Sequence, residues 1–290
     1  MTALELPSAL VGPDWLARHL GDERLVVVDA SVIGAETEAG FRWLSGLDAY
    51  LIDGHIPGAV FADLLEQFSD PLGAFSFTRP GTDRLAEAAR EVGIDDTRTV
   101  VVYDSTLGHW AARLWWLLTS AGFDRVAVLD GGLGRWRGEG HPLETGFESP
   151  RAAGDLSLDE RPGWWADAAD VRAVLDGTSD AALVCAAPRS DFTGETGRRA
   201  RRGHIPGSVS MPIGAAVDRE RGTFVDGDAR DAVLSGVGGA RPVIVYCGGG
   251  IAAAGVGLLL RQAGRTSVAV YDGSLDEWAA DPDAPLVTLV

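Results

Sequence analysis

The chain has 290 residues, 46% of them hydrophobic and 23% charged, and at about 150 residues per domain this predicts two domains, each with a core of its own. Acidic residues outnumber basic ones by 42 to 25, a net charge of −17, so nucleic acid and anionic membrane are disfavoured as partners. Every one of those basic residues is Arg and none is Lys, which excludes Schiff-base chemistry and any mechanism built on a catalytic ammonium. The opening stretch has no basic segment leading into an apolar run, and no stretch elsewhere reaches about 18 uncharged apolar residues, so a cytoplasmic location is expected. The two cysteines, Cys185 and Cys247, are expected to be free thiols in a chain this large.

Taken in chain order, DWLARHLG (Asp14 to Gly21) is followed by the strand-like LVVVD, then by GHIPG at Gly54 to Gly58. Next come TVVVYD ending at Asp104, the helical HWAARLWWLLTSAG, and VAVLDGGLGRW from Val126 to Trp136. The series then repeats. DVRAVLDG (Asp170 to Gly177) precedes ALVCA, GHIPG returns at Gly203 to Gly207, VIVYC ends at Cys247, and VAVYDGSLDEW runs from Val268 to Trp278. The offsets are 156, 149, 143 and 142, so the matches keep one order and the second copy has shorter loops. Short Val-rich runs alternating with helical segments predict an α/β fold, each copy a parallel sheet flanked by helices. A segment rich in Gly, Pro, Ser and charge separates the copies, giving a first domain at 1–150, a linker at 151–163 and a second domain at 164–290.

Where the copies differ, one was free to specialise. Asp104 ends the central strand of the first copy, and Cys247 ends that of the second. Cys247 is followed by Gly248, Gly249 and Gly250 and then by a predicted helix from Ile251 to Gln262. Strand, glycine loop and helix place the thiol where parallel sheets bind ligands, beyond the strands' carboxyl ends. Glycines let successive N–H groups turn inward as an anion nest, and the helix N-terminus adds positive potential. Such a cradle favours a thiolate nucleophile and would hold a negatively charged sulfur attached to it, through the loop Gly248, Gly249, Gly250, Ile251 and Ala252. A phosphatase loop would place Arg six positions after the Cys, but that position is Ala253. In the first copy Ser105, Thr106 and Leu107 replace the glycines, so its N–H groups are not expected to converge.

The duplicated GHIPG, the late YDGS-x-x-x-W and the single Cys loop resemble the tandem-domain rhodanese sulfurtransferases over nearly the whole chain. The resemblance implies two rhodanese-like domains, an inactive first copy and a catalytic second, with sulfur carried as a persulfide on Cys247. A small sulfur donor, 3-mercaptopyruvate or thiosulfate, would load it, and a small thiol, a thioredoxin-like protein or cyanide would unload it, with no metal and no organic cofactor. The uncharged Cys-Gly-Gly-Gly-Ile-Ala is closer to the mercaptopyruvate branch than to the thiosulfate branch, whose loop carries cations. Departures are also present: Gly249 replaces a loop hydroxyl, Ala252 a Thr, Asp191 an Arg, and Cys185 and Ala187 the strand's usual Asp and Arg. A non-catalytic rhodanese-like protein that binds sulfur or regulates is the alternative reading. Of the branch's two carboxylate-clamp Arg positions, the first is occupied by Asp191, with Arg189 nearby, and the second maps onto Arg198 or Arg199, within RRARR. The resemblance also places His55 near an interdomain cleft as a further substrate contact, whereas His204 is expected to be structural, Cys185 a buried packer, and Asp63 and Arg113 either site residues or salt-bridge partners.

Overall fold

The computed structural model describes residues 3–38 and 40–290. Two five-stranded sheets organise the chain. In the first the strands run in the order Leu10–Val11, Val126–Leu129, Thr99–Tyr103, Leu25–Asp29 and Val60–Phe61, each parallel to its neighbour. The second repeats that order with Trp165–Ala166, Val268–Tyr271, Val243–Tyr246, Ala182–Cys185 and Val209–Ser210, again all parallel. Leu25–Asp29, Thr99–Tyr103 and Val243–Tyr246 are buried at every position. Helices cover both faces of such sheets, so the strands read as continuous apolar runs rather than alternating ones. The expected α/β architecture, repeated in tandem, is the one observed. No helix among the described residues is long and apolar enough to cross a membrane.

Each GHIPG turn locks onto its sheet in the same way. The Ile56 N–H donates to the Tyr103 hydroxyl at 3.2 Å, and the Ile205 N–H to the Tyr246 hydroxyl at 3.0 Å. His55 stacks on Tyr50 with ring centroids 3.8 Å apart, and its Nδ1 lies 2.9 Å from the Tyr50 carbonyl. His204 stacks on Phe192 at 3.7 Å, with Nδ1 2.7 Å from the Phe192 carbonyl. A carbonyl only accepts, so Nδ1 carries the proton in both rings. Gly203 has φ 106, and a Cβ there would meet the Val287 carbonyl at 2.2 Å, so the motif's first position requires glycine.

Packing divides the chain into two units that part between Arg161 and Pro162. The segment Gly73–Thr78 belongs with the second unit, and Arg219–Thr223 with the first. Much of the stretch 151–163, expected as a linker, is attached to the first unit. The Asp96 N–H donates to the Asp155 carbonyl at 2.9 Å, the Asp159 N–H to Ala121 at 2.8 Å and the Arg161 N–H to Ser120 at 2.7 Å. Backbone groups make these bonds, so side-chain composition gave no sign of them.

Equivalent strand ends carry Asp29 in the first unit and Cys185 in the second, beside Tyr103 and Tyr246 respectively. Asp29 is 1% exposed, and burial pushes its carboxyl up to about 6. The folded state therefore holds a proton that the unfolded chain releases near pH 4. The stability this gives is present below pH 4 and is lost as pH rises through 6, by on the order of 2–3 kcal/mol. Asp29→Asn should accordingly be the more stable protein at pH 7.5, with the difference closing as pH falls toward 4. Parallel thermal melts across that range check this, and a difference independent of pH would refute it.

Candidate active site

The strand Val243–Tyr246 ends immediately before Cys247, and the helix Ile251–Gln262 begins four residues after it. Between them Gly250 takes the left-handed conformation, φ 78, that turns the chain into the helix. In the first unit Gly108 does the same, φ 80, before the helix His109–Ser120. The turn glycine lies four positions after Asp104 but three after Cys247, so the cysteine loop is one residue shorter.

The first-unit loop corrects the expectation drawn from its composition. Without a run of glycines, its N–H groups nonetheless converge on the fully buried side chain of Asp104. Oδ1 accepts from the Thr106 N–H at 2.7 Å, the Thr106 hydroxyl at 2.9 Å and the Gly108 N–H at 3.1 Å. Oδ2 accepts from the Trp110 and Ala111 N–H groups, each at 3.0 Å. A carboxylate organises the donors that glycines would otherwise free to turn inward. In the second unit the corresponding second and third helical residues are Ala252 and Ala253. Among the described residues no acceptor is found on their N–H groups, nor on those of Gly248, Gly249 or Ile251. Asp104 fills its own nest, whereas the nest of Cys247 is open.

The open loop is held from outside by Ser274. Its hydroxyl accepts from the Cys247 and Gly250 N–H groups, both at 3.1 Å, and donates to the Tyr271 carbonyl at 2.7 Å. Ser274 has φ 49, a conformation that costs a non-glycine residue about 1 kcal/mol. Its counterpart is Gly132, φ 52, where a Cβ would lie 2.3 Å from the Asp104 carbonyl. The second copy thus accepts strain to place a hydroxyl between the two ends of the cysteine loop. Sequence reasoning passed over Ser274, although the pairing of DGG with DGS at this step of the repeat was the available signal.

Cys247 is 3% exposed, and Gly248 and Gly249 beside it are half-buried. Arg199 lies across the loop: a Cβ on Gly248 would be 2.9 Å from its Nη2. The loop's own sequence is uncharged, but the fold brings a guanidinium to it. Arg199 Nε donates to Asp276 Oδ1 at 2.7 Å, and Nη2 is 2.5 Å from the same oxygen. The Asp276 N–H in turn donates to the Gly248 carbonyl at 2.9 Å. Asp276 also went unread in the sequence, since its partner is 77 residues away and nothing local marks it.

The other candidates differ in exposure and partners. Arg189 is the first residue of the short helix Arg189–Thr193 and is exposed, as is Arg198. Within RRARR, Arg201 donates to the Asp281 and Ala284 carbonyls, so the run is not a uniformly solvated face. Asp191 accepts from the Thr196 hydroxyl at 2.6 Å and staples its own loop. His55 has no exposed surface, and its ring Nδ1 and stacking hold the GHIPG turn as those of His204 do. Asp63 accepts from the Leu65 and Glu66 N–H groups as a turn cap. Cys185 has no exposed surface either, and burial pushes its thiol up to about 12, as expected of a packing residue.

The Rhodanese-like domain family matches residues 12–139 and 167–281. The chain belongs to the rhodanese family. Among rhodanese relatives, 3-mercaptopyruvate sulfurtransferase of Escherichia coli K12 is 33% identical over 282 residues, covering 95% of this chain and 96% of that protein. A putative thiosulfate sulfurtransferase, SseB of Mycobacterium tuberculosis H37Rv, is 34% identical over 277 residues, 90% of this chain and 96% of that one. The crystal structure of the rhodanese-fold SseA from Escherichia coli superposes with a TM-score of 0.81 at 32% identity, covering 92% of this chain and 98% of that one.

Proposed function

We propose that this rhodanese is a sulfurtransferase that takes sulfur from 3-mercaptopyruvate in preference to thiosulfate and carries it as a persulfide on Cys247. The observation that carries the reading is the open nest. Among the described residues the amides of Gly248, Gly249, Ile251, Ala252 and Ala253, which follow the thiol in the chain, have no protein acceptor, whereas the matching amides of the first unit are taken up by a carboxylate. Donors fixed in advance stabilise negative sulfur without reorganising when it forms.

In the first half-reaction the Cys247 thiolate attacks the donor's sulfur. The S–S bond forms as the C–S bond breaks, and the electron pair leaves on pyruvate enolate, which takes a proton. In the second, an acceptor thiolate attacks the outer sulfur, becomes a persulfide, and returns Cys247 to its thiolate. Arg199 supports the choice of donor, since a guanidinium beside Gly248 suits a single carboxylate held away from the reacting sulfur. The acceptor is a small thiol or a thioredoxin-like thiol protein.

Intact-mass measurement after exposure to donor should show the gain of one sulfur atom on Cys247. Pyruvate release from 3-mercaptopyruvate should exceed sulfite release from thiosulfate in kcat/KM. Mass unchanged by either donor would favour the alternative, a non-catalytic rhodanese-like binding or regulatory protein. A thiosulfate value equal or higher would reverse the donor assignment.

A further inference from the structure

The pair formed by Arg199 and Asp276 contains a carboxylate that the transfer chemistry itself does not need. Asp276 commits Oδ1 to Arg199, while its Oδ2 occupies the space over Gly249, 2.9 Å from where a Cβ on that glycine would stand. A negative oxygen thus stands at the position a loop side chain would fill. Arg199 keeps N–H donors beyond the two used by Asp276, because a guanidinium has five.

We propose that Asp276 is the donor-specificity residue of this site, a positioning residue that acts through Arg199; the inference rests on the reading of Arg199 as the donor's carboxylate clamp. Two effects follow from one side chain. By bonding Nε and Nη2, Asp276 fixes the plane of the guanidinium and turns its remaining N–H groups toward a single carboxylate. By offsetting the Arg199 charge, it weakens the site's attraction for a second negative charge near the loop. A monoanionic keto acid is admitted and a dianionic thiosulfate is held poorly. The neutral mouth is thus a property of the pair, where the loop's composition alone had suggested an absence of cations.

The test compares kcat and KM for 3-mercaptopyruvate and thiosulfate in the full-length wild type, Asp276→Asn, Arg199→Ala and the double variant. Asn is isosteric and keeps the backbone bond to Gly248, so the loop anchor survives. Asp276→Asn should raise KM for 3-mercaptopyruvate about tenfold with a much smaller fall in kcat, and should increase kcat/KM for thiosulfate several-fold. In the Arg199→Ala background the same change should leave the donor ratio where it was. Equal losses on both donors, an unchanged ratio, or a ratio shift that persists without Arg199 would each overturn this inference while leaving sulfur transfer intact. A wild type that gains no sulfur from either donor would overturn the functional reading and this one together.

Discussion

Cys247→Ser should abolish sulfur transfer, with a fall in kcat/KM of at least three powers of ten, or about 4 kcal/mol of transition-state stabilisation. A serine hydroxyl in the same nest neither ionises readily nor accepts sulfane sulfur, so neither half-reaction can begin. No second thiol can substitute. With its thiol pushed up to about 12 by burial, Cys185 stays protonated at neutral pH, and it has no exposed surface. Cys185→Ser should therefore retain most activity and still gain one sulfur, whereas Cys247→Ser gains none. Equal loss from both substitutions would show that the nucleophile has been misassigned.

Asp104→Ala should destabilise the first unit by roughly 3–5 kcal/mol, the range for removing one partner from a buried, charge-assisted network. Four amides and one hydroxyl would then point into a space with no acceptor. Tryptophan emission suits the measurement, because Trp15, Trp43, Trp110, Trp115, Trp116 and Trp136 all belong to the first unit. Denaturant titration should show the tryptophan-reported transition moving to lower concentration. Sulfate, a small anion able to enter the vacated nest, should restore part of the loss in the variant more than in the wild type. A midpoint shift worth less than about 0.5 kcal/mol would mean that the hydrogen bonds to Asp104 are energetically idle.

Particular residues show how far the sequence could be read. The repeat, the parallel sheets and the helix Ile251–Gln262 were legible because buried strands and helices impose periodic apolar patterns. Cys247 and its glycines were legible because the chemistry is contiguous in the chain. Ser274 and Asp276 were not, since each acts on a loop more than two dozen residues earlier and neither type is distinctive by itself. The first-unit nest was misread for a different reason: composition indicates which residues tolerate an inward-facing backbone, not that an acid such as Asp104 can draw the backbone inward. Arg199 could be narrowed to a pair of neighbouring arginines, but it is the placement of its guanidinium against Gly248 and Asp276 that distinguishes it from the exposed Arg198.

The Ser274 anchor has a consequence for the order in which the site matures. Asp104 carries its ligand on its own side chain, so the first loop can set as soon as its helix forms. The Cys247 loop depends on a hydroxyl that lies 27 residues further along the chain, in the turn after the strand Val268–Tyr271. During synthesis from the N-terminus the thiol is made well before that turn exists. Until the last strand docks, the two amides at the ends of the loop have nothing to fix them. A chain that ends before residue 274 therefore carries Cys247 without the hydroxyl that holds the two ends of its loop.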